Sequence, residues 1–440
     1  MDSNATAFGD KYCILGAGPA GLAVIKTFAQ ADIPFDAFER EDDVGGNWYF
    51  GKPGSSVSSG THLISSKRMT EYTDFPMPKS YPPYPSHSQA LTYLRDYARH
   101  FALYPRITFN TSIIRAEPAQ PDAADSPWRV TLSTGETRLY RGLIVANGHH
   151  WDPLWPTIAG EFSGQRIHAH DYKTPDILRN KRVLVIGAGN SGCDIAVDAA
   201  QQAKQVFLSL RRGYYFLPKF VLGGPLDSGG ELLHRWRLPL GLRRWITRFL
   251  VRIAAGPPER YGLPKPDHQL FETHPIVNSQ LLYFIGHGAI ASRGAVREFA
   301  GDTVRFVDGR EEQVDLVICA TGYHIRLPFL DESLVLEDGR PRLFLNAFHP
   351  LYQHFFVAGL IQPNGGLWVL ADWQAQLMAA YILAQQRRRP AANWFRDLAA
   401  QGHDDASGGI RYLHSDRHKL EVEYFVYRER LKNLLKRLAN

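Results

Sequence analysis

Two glycine-rich turns, Gly16-Ala17-Gly18-Pro19-Ala20-Gly21 and Gly187-Ala188-Gly189-Asn190-Ser191-Gly192, share one spacing. Each follows a short apolar run, KYCIL at 11–15 and RVLVI at 182–186, and each leads into apolar residues at helical spacing. A strand, a tight glycine turn and a helix N-terminus in that order form a cradle for a pyrophosphate, because glycine lets the backbone approach and the helix N–H groups hold the charge. The residues that follow differ in sign. Eighteen residues after Gly21 the run FDAF ends in Glu39 and Arg40, where a carboxylate accepts hydrogen bonds from ribose hydroxyls. Eighteen residues after Gly192 stands Leu210, then Arg211 and Arg212, with no carboxylate; a guanidinium fork suits a 2′-phosphate. The pairing implies a flavin dinucleotide on the first turn and NADPH, in preference to NADH, on the second.

The elements that must position these turns are two βαβ units, and a chain of 440 residues has the length for two domains. The expected fold is α/β, with two Rossmann-like dinucleotide-binding domains and the NADPH domain inserted in the FAD domain. The expected boundaries are 1–165 for the first part of the FAD domain, 166–325 for the NADPH domain and 326–440 for the rest. A helical excursion at about 222–276 lies outside the minimal fold. Within it Leu242, Trp245, Ile246, Phe249, Leu250 and Ile253 share one helix face and Arg243, Arg244, Arg248 and Arg252 the other. That helix is expected to pack its apolar face over the site, with contact to a membrane surface as the alternative. The final stretch reads as a basic amphipathic helix with Leu431, Leu434, Leu435 and Leu438 on one side.

Composition excludes several classes. With 44% hydrophobic and 21% charged residues the chain is that of a folded globular protein. A net charge of +6 against 50 Lys plus Arg forms no basic block, so nucleic acid is not an expected partner. Cys13, Cys193 and Cys319 are too far apart in sequence for a CxxC pair and are expected to pack as small apolar groups. His149, His150, His168 and His170 crowd into 22 residues, but no cysteine or carboxylate completes a ligand set, so no metal is expected. Neither a secretory leader nor an 18-residue apolar run is present, and the expected location is the cytoplasm.

Between the two units lies FSGQRIHAHDYK, residues 162–173. Its Phe162-x-Gly164-x-x-x-His168-x-x-x-Tyr172-Lys173 pattern resembles the fingerprint of the class B flavin-containing monooxygenases, with Tyr where the Baeyer–Villiger enzymes carry Trp. GGNW at 45–48, SSKRMTEYTDFPMP at 65–78, GNSGCDIA at 189–196, DLVICATGYH at 315–324, and GLIQPNGG with DWQAQ near the C-terminus resemble the other motifs of that family in the same order. The resemblance implies FAD and NADPH as cofactors and dioxygen as co-substrate. It extends the cofactor-binding set from both glycine turns, Glu39, Arg40, Arg211 and Arg212 to Gly46, Asn47, Trp48, Ser65, Ile113, Asp194, Thr321, Gly322 and Gln374. It also reads residues 162–173 as the hinge between the domains, with His168 orienting rather than moving protons, and makes a homodimer the family expectation.

What the resemblance implies chemically is hydride transfer from NADPH to the flavin and formation of a C4a-hydroperoxide with dioxygen. NADP⁺ is retained, and a soft nitrogen or sulfur of a small molecule attacks the distal oxygen. No protein nucleophile is needed, so no catalytic residue is assigned. Baeyer–Villiger oxygenation and uncoupled NADPH oxidation remain alternatives, as does a sensor that binds NADPH without oxygenating; a disulfide reductase lacks its cysteine pair. One departure stands out: the Asn that many members place beside the flavin falls on Ile64, which has no amide. Asn147 also stands where relatives commonly carry Thr. The aromatic residues Trp151, Trp155, Tyr214, Tyr215, Phe216 and Trp368 are candidates for the pocket wall.

Overall fold

The computed structural model describes residues 6–7, 9–236, 238–402 and 404–439; the N-terminal residues considered for a leader fall largely outside this set. Two five-stranded sheets, both wholly parallel, organise the chain. In the first the strands lie in the order Phe355–Val357, Gly142–Val145, Tyr12–Leu15, Phe35–Phe38, Ile107–Thr108. In the second the order is Gln165–His168, Leu316–Cys319, Arg182–Ile186, Gln205–Ser209, Ala291–Arg293. Gly142–Val145 and Leu316–Cys319 are buried at every position, as unbroken apolar strands covered on both faces must be. Each sheet has a four-stranded companion with one parallel edge and two antiparallel pairings. The molecule is thus an α/β protein of two Rossmann-like domains built to one plan.

The chain leaves the first domain after Val145 and returns after Cys319. Ala159–Phe162 already belongs to the second domain, pairing with Val296–Gly301, so the first crossing precedes the boundary expected at residue 165. That strand, AGEF, is mostly exposed and contains a glycine, so it lacks the alternation by which a strand is read. The two crossing segments meet where Asp152–Pro153 pairs antiparallel with Tyr323–His324.

The C-terminal third completes the first domain. Helix Leu367–Gln386 is buried on most of its surface and packs against helix Pro19–Gln30 and helix Tyr424–Ala439. Leu431, Leu434 and Leu438 are buried on that last helix, and Leu435 packs beside them, as the spacing requires. One charge is sealed into this interface: the buried Lys26 Nζ lies 3.0 Å from Asp372 Oδ1 and 2.8 Å from Asp74 Oδ2, tying three sequence-distant segments together. All three cysteines are free and buried.

Removing one partner of a buried pair leaves the other charge desolvated and uncompensated. Lys26→Met is therefore expected to lower the unfolding free energy by about 3–5 kcal/mol, read from urea denaturation, because Asp372 stays fully buried without its cation.

Candidate active site between two dinucleotide cradles

Strand register sets the positions around each glycine turn. Leu15 lies opposite Phe38 and Val145, which places Gly16 beside Glu39 and Ala146. Ile186 lies opposite Ser209 and Cys319, which places Gly187 beside Leu210 and Ala320. Two of the glycines in each turn are dictated by space. A Cβ on Gly21 would stand 1.8 Å from the Gly16 carbonyl oxygen, and one on Gly192 1.9 Å from that of Gly187. Gly16 (φ 101°) and Gly187 (φ 106°) add the left-handed geometry that favours glycine.

The helices that follow, Pro19–Gln30 and Asn190–Gln202, start without any side-chain cap. Helix His87–His100, by contrast, is closed by a capping box between Ser86 and Gln89. Uncapped first-turn N–H groups facing open space form the donor set a phosphate requires. Both turns open on a single cavity of 2310 Å³, lined by Gly16, Gly18, Pro19 and Ala20 on one side and by Gly187, Gly189, Asn190 and Ser191 on the other. Ligand pockets typically measure about 300–1,000 Å³, so this volume accommodates two dinucleotides with room for a substrate.

Charge distinguishes the two ends. Glu39 is buried at the cavity edge, its carboxylate accepting from Ala17 N at 2.6 Å and Glu41 N at 3.0 Å. Burial raises its pKa, and those two N–H donors oppose the shift. Arg40 lines the same end.

At the other end Arg211 reaches the cavity and Arg212 does not. Arg212 Nη2 instead donates to Asp267 Oδ2 at 2.8 Å, and Nε reaches both carboxylate oxygens at 3.2 Å, which holds Asp267 down to a pKa of about 2. The expected two-arginine fork is thus one arginine.

A residue that spacing did not reveal takes the place beside it. A Cβ on Gly189 would lie 3.4 Å from the guanidinium of Arg417, which lines the cavity and has no carboxylate within ion-pair distance among the described residues. Its neighbour His418 is held neutral, its pKa pushed down to about 3 by burial and then by Arg417. Nothing local marks Arg417, because it arrives from more than 220 residues downstream of the turn it faces.

Other expected residues divide into those that meet the cavity and those that support it. Gly46, Asn47, Trp48, Ser65, Ile113, Asp194, Thr321 and Gly322 line it. Asn190 also pins the excursion, donating to Pro275 O at 3.0 Å and accepting from Val277 N at 2.8 Å. Gly21 and Gly192 sit beneath the turns. Gln374 lies outside the cavity wall: buried, it accepts from Gly359 N at 2.9 Å and donates to the Tyr427 hydroxyl at 2.6 Å. Its role is to hold the Gly359 turn, which itself lines the cavity, against the last helix.

Trp151, Trp155, Tyr214 and Trp368 line the cavity, whereas Phe216 is buried in the second domain's core and Tyr215 packs in a side cluster. Among the described residues no group of His, Cys, Asp and Glu could hold a metal ion. Ile64 and Ser65 lie side by side on the wall. Thr70 Oγ1 donates to Ser66 O, so the Ser65–Thr70 contact at 2.8 Å takes the Ser65 hydrogen, and neither side chain offers a donor to the cavity. Asn147 turns its amide away, to Arg326 O at 3.0 Å.

The segment 162–173 fastens the two domains. The Tyr172 hydroxyl donates to Asp198 on helix Asn190–Gln202 at 2.9 Å. From the next residue, Lys173 Nζ donates to Ser55 O and the carbonyl accepts from Ser59 N at 2.8 Å, both in the first domain. His170 reaches Pro53 O at 2.9 Å. His168 accepts from His170 N on Nδ1, and burial pushes its pKa down to about 4, which keeps it neutral and unsuited to storing a proton at neutral pH.

The flavin-binding monooxygenase-like family matches residues 9–438. The chain belongs to that family. It is 32% identical to flavin-containing monooxygenase 5 of Oryctolagus cuniculus over 97% of this chain and 83% of the relative. Among solved structures, S-allyl-L-cysteine S-oxygenase from Allium sativum shares the fold with a TM-score of 0.66 at 18% identity, covering 98% of this chain and 89% of that one. An open cyclohexanone monooxygenase does so with 0.68 at 17%, covering 97% and 98%.

As a member of this family the protein is an FAD-containing, NADPH-dependent monooxygenase that uses dioxygen. The residues fit both cofactors: two uncapped helix ends, a carboxylate at the first and free guanidinium groups at the second.

Two variants separate the phosphates of NADPH. Arg211→Ala is expected to raise the KM for NADPH roughly 10–100-fold, the worth of a charge-assisted hydrogen bond, while leaving that for NADH unchanged. Arg417→Ala, facing the turn that holds the shared pyrophosphate, is expected to raise both. Asp194 gives a pH signature. Burial lifts its pKa to about 6, above the usual carboxylate range, while Asn278 donates to it at 2.7 Å. The folded state then binds more protons than the unfolded one between about pH 4 and 6, so stability falls as pH rises through that window. Asp194→Asn is expected to remove that fall, with the largest gain over wild type above pH 6 in urea unfolding of the cofactor-free protein.

Proposed function

We propose that the protein transfers one atom of dioxygen to a soft nucleophilic nitrogen or sulfur atom of a small molecule, at the expense of NADPH. The observation that supports this is the shared cavity: both glycine turns open on one space, which would hold a nicotinamide dinucleotide and a flavin with room for a substrate. FAD, when bound, supplies the acceptor for hydride and the activation of dioxygen. The chain's residues have the remaining tasks. The glycine turns and Glu39 fix the flavin dinucleotide, Arg211 and Arg417 fix NADPH, and the Tyr172–Lys173 clasp keeps the two in register. Ile64, Trp48 and Trp368 give the wall an apolar surface that excludes water, which oxygen transfer to a soft nucleophile needs more than it needs a proton donor.

Lys173 donates to Ser55 O and does not line the cavity, and the Tyr172 hydroxyl donates to Asp198, so this pair offers no cation or donor to a nucleophilic peroxide anion, which Baeyer–Villiger chemistry would require. A thioether and a ketone offered in parallel, with NADPH, test the reading: the sulfoxide is expected, and the ester or lactone as the main product would refute it.

The wall at Ile64 and Ser65 lacks a side-chain hydrogen-bond donor, so the resting enzyme is expected to release more hydrogen peroxide per NADPH than an Ile64→Asn variant does. Peroxide assay against NADPH consumption without substrate checks this, and equal ratios in the two proteins would contradict it.

A further inference from the structure

Helix Leu240–Ala255 does not bury its apolar stripe as expected. Two of its four arginines turn inward: Arg243 pairs with the buried Glu423 at 3.2 Å and Arg244 donates to Gln269 at 2.7 Å, while Thr247 and Val251 are the buried residues. Ile246 and Leu250 are half-buried, but the rest of the apolar stripe is left in water. Trp245 is 63% exposed, Phe249 53% and Ile253 69%, with Leu242 beside them. Trp245 and Phe249 stack on each other, centroids 5.8 Å apart and planes 8° from parallel, with no other ring over them among the described residues. The pattern extends through the excursion. Eight of the thirteen exposed large apolar side chains among the described residues fall between Phe220 and Ile253, Leu222 and Trp236 included. A concentration of that kind marks a surface that something covers.

We propose that this face is a docking surface for an anionic lipid bilayer, on which the enzyme lies without crossing it. Charge chooses the partner. Arg248 and Arg252 are exposed on one flank of the apolar stripe, and neither has an ion-pair partner among the described residues. The helix contains no Asp or Glu. A second copy applied to this face would bring arginine flanks together with no carboxylate on either helix to receive them, whereas lipid phosphates neutralise them. Tryptophan between an apolar stripe and basic groups suits the headgroup boundary, where an amphipathic helix buries one face and keeps its cations in the polar layer. At 16 residues with four arginines the helix is too short and too charged to span, and no helix of the described residues is long and apolar enough to do so. The excursion is joined to the cavity wall, since Asp227 at the start of its first helix accepts from Ser66 N at 2.6 Å, next to Ser65.

The test uses the full-length holoenzyme and vesicles of phosphatidylcholine with and without phosphatidylglycerol, separated by co-sedimentation. Wild type is expected to bind the anionic vesicles and to release as salt is raised. Trp245→Ser/Phe249→Ser and Arg248→Glu/Arg252→Glu are each expected to lower the bound-to-free ratio about tenfold or more while keeping NADPH oxidation. Absence of wild-type binding at low salt, or binding unchanged in the Trp245→Ser/Phe249→Ser protein, overturns the proposal. So does sedimentation velocity without lipid if it finds a dimer that this variant dissociates, because the face then belongs to a second copy.

Discussion

The structure depends on the closeness with which a helix is allowed to approach a strand. At Gly21 and Gly192 there is no space for even a methyl group, and that absence lets each helix start directly over the end of its strand. A helix that starts there has a glycine at its N-cap and no side chain to cap it, so its first turn borders the cavity with N–H groups that have no side-chain acceptor. The need of those groups for an anion, met twice over, is what makes this fold a site for two dinucleotides.

The two cradles share architecture and differ in charge. The strand ends align so that Glu39 and Leu210 occupy equivalent places, each one residue past a register-matched strand, and the following positions carry Arg40 and Arg211. A carboxylate at the first place accepts from hydroxyls and repels a phosphate; leucine there removes both effects and leaves the next arginine to decide. A dinucleotide on one turn is useful to the other only if the domains keep their spacing. That is the work of Lys173 and His170, whose bonds to Ser55 and Pro53 run across the junction, with Tyr172 anchoring the segment to Asp198 in the second domain. Arg417 adds a crossing in the reverse direction, from the chain that completes the first domain to the turn of the second.

Much of this was legible in the sequence because the decisive signals are local. Glycine spacing and the 3.6-residue period of the last helix each follow from neighbours in the chain, and both hold in the structure; of the two arginines at the second strand end, Arg211 lines the cavity. Pairwise contacts between distant segments were not legible. Arg212 read as a phosphate ligand until Asp267, 55 residues on, claimed it. Gln374 sits in a motif near the cavity yet faces Tyr427, and Arg417 carries no pattern at all. The excursion misled for a different reason: periodicity identifies an amphipathic helix but not which side meets the protein. Ion pairs to Glu423 and Glu272 drew Arg243 and Arg244 inward, while Arg248 and Arg252 stayed exposed.

The central claim is that both dinucleotides serve one oxygen transfer in one cavity. Turnover with NADPH, a thioether and isotopically labelled dioxygen tests it most directly, by following where the label goes for each NADPH oxidised. The account predicts labelled sulfoxide in step with NADPH consumed, beyond the fraction lost as peroxide. Label found only in hydrogen peroxide, with NADPH consumption indifferent to the thioether, would contradict it and leave the chain an NADPH oxidase.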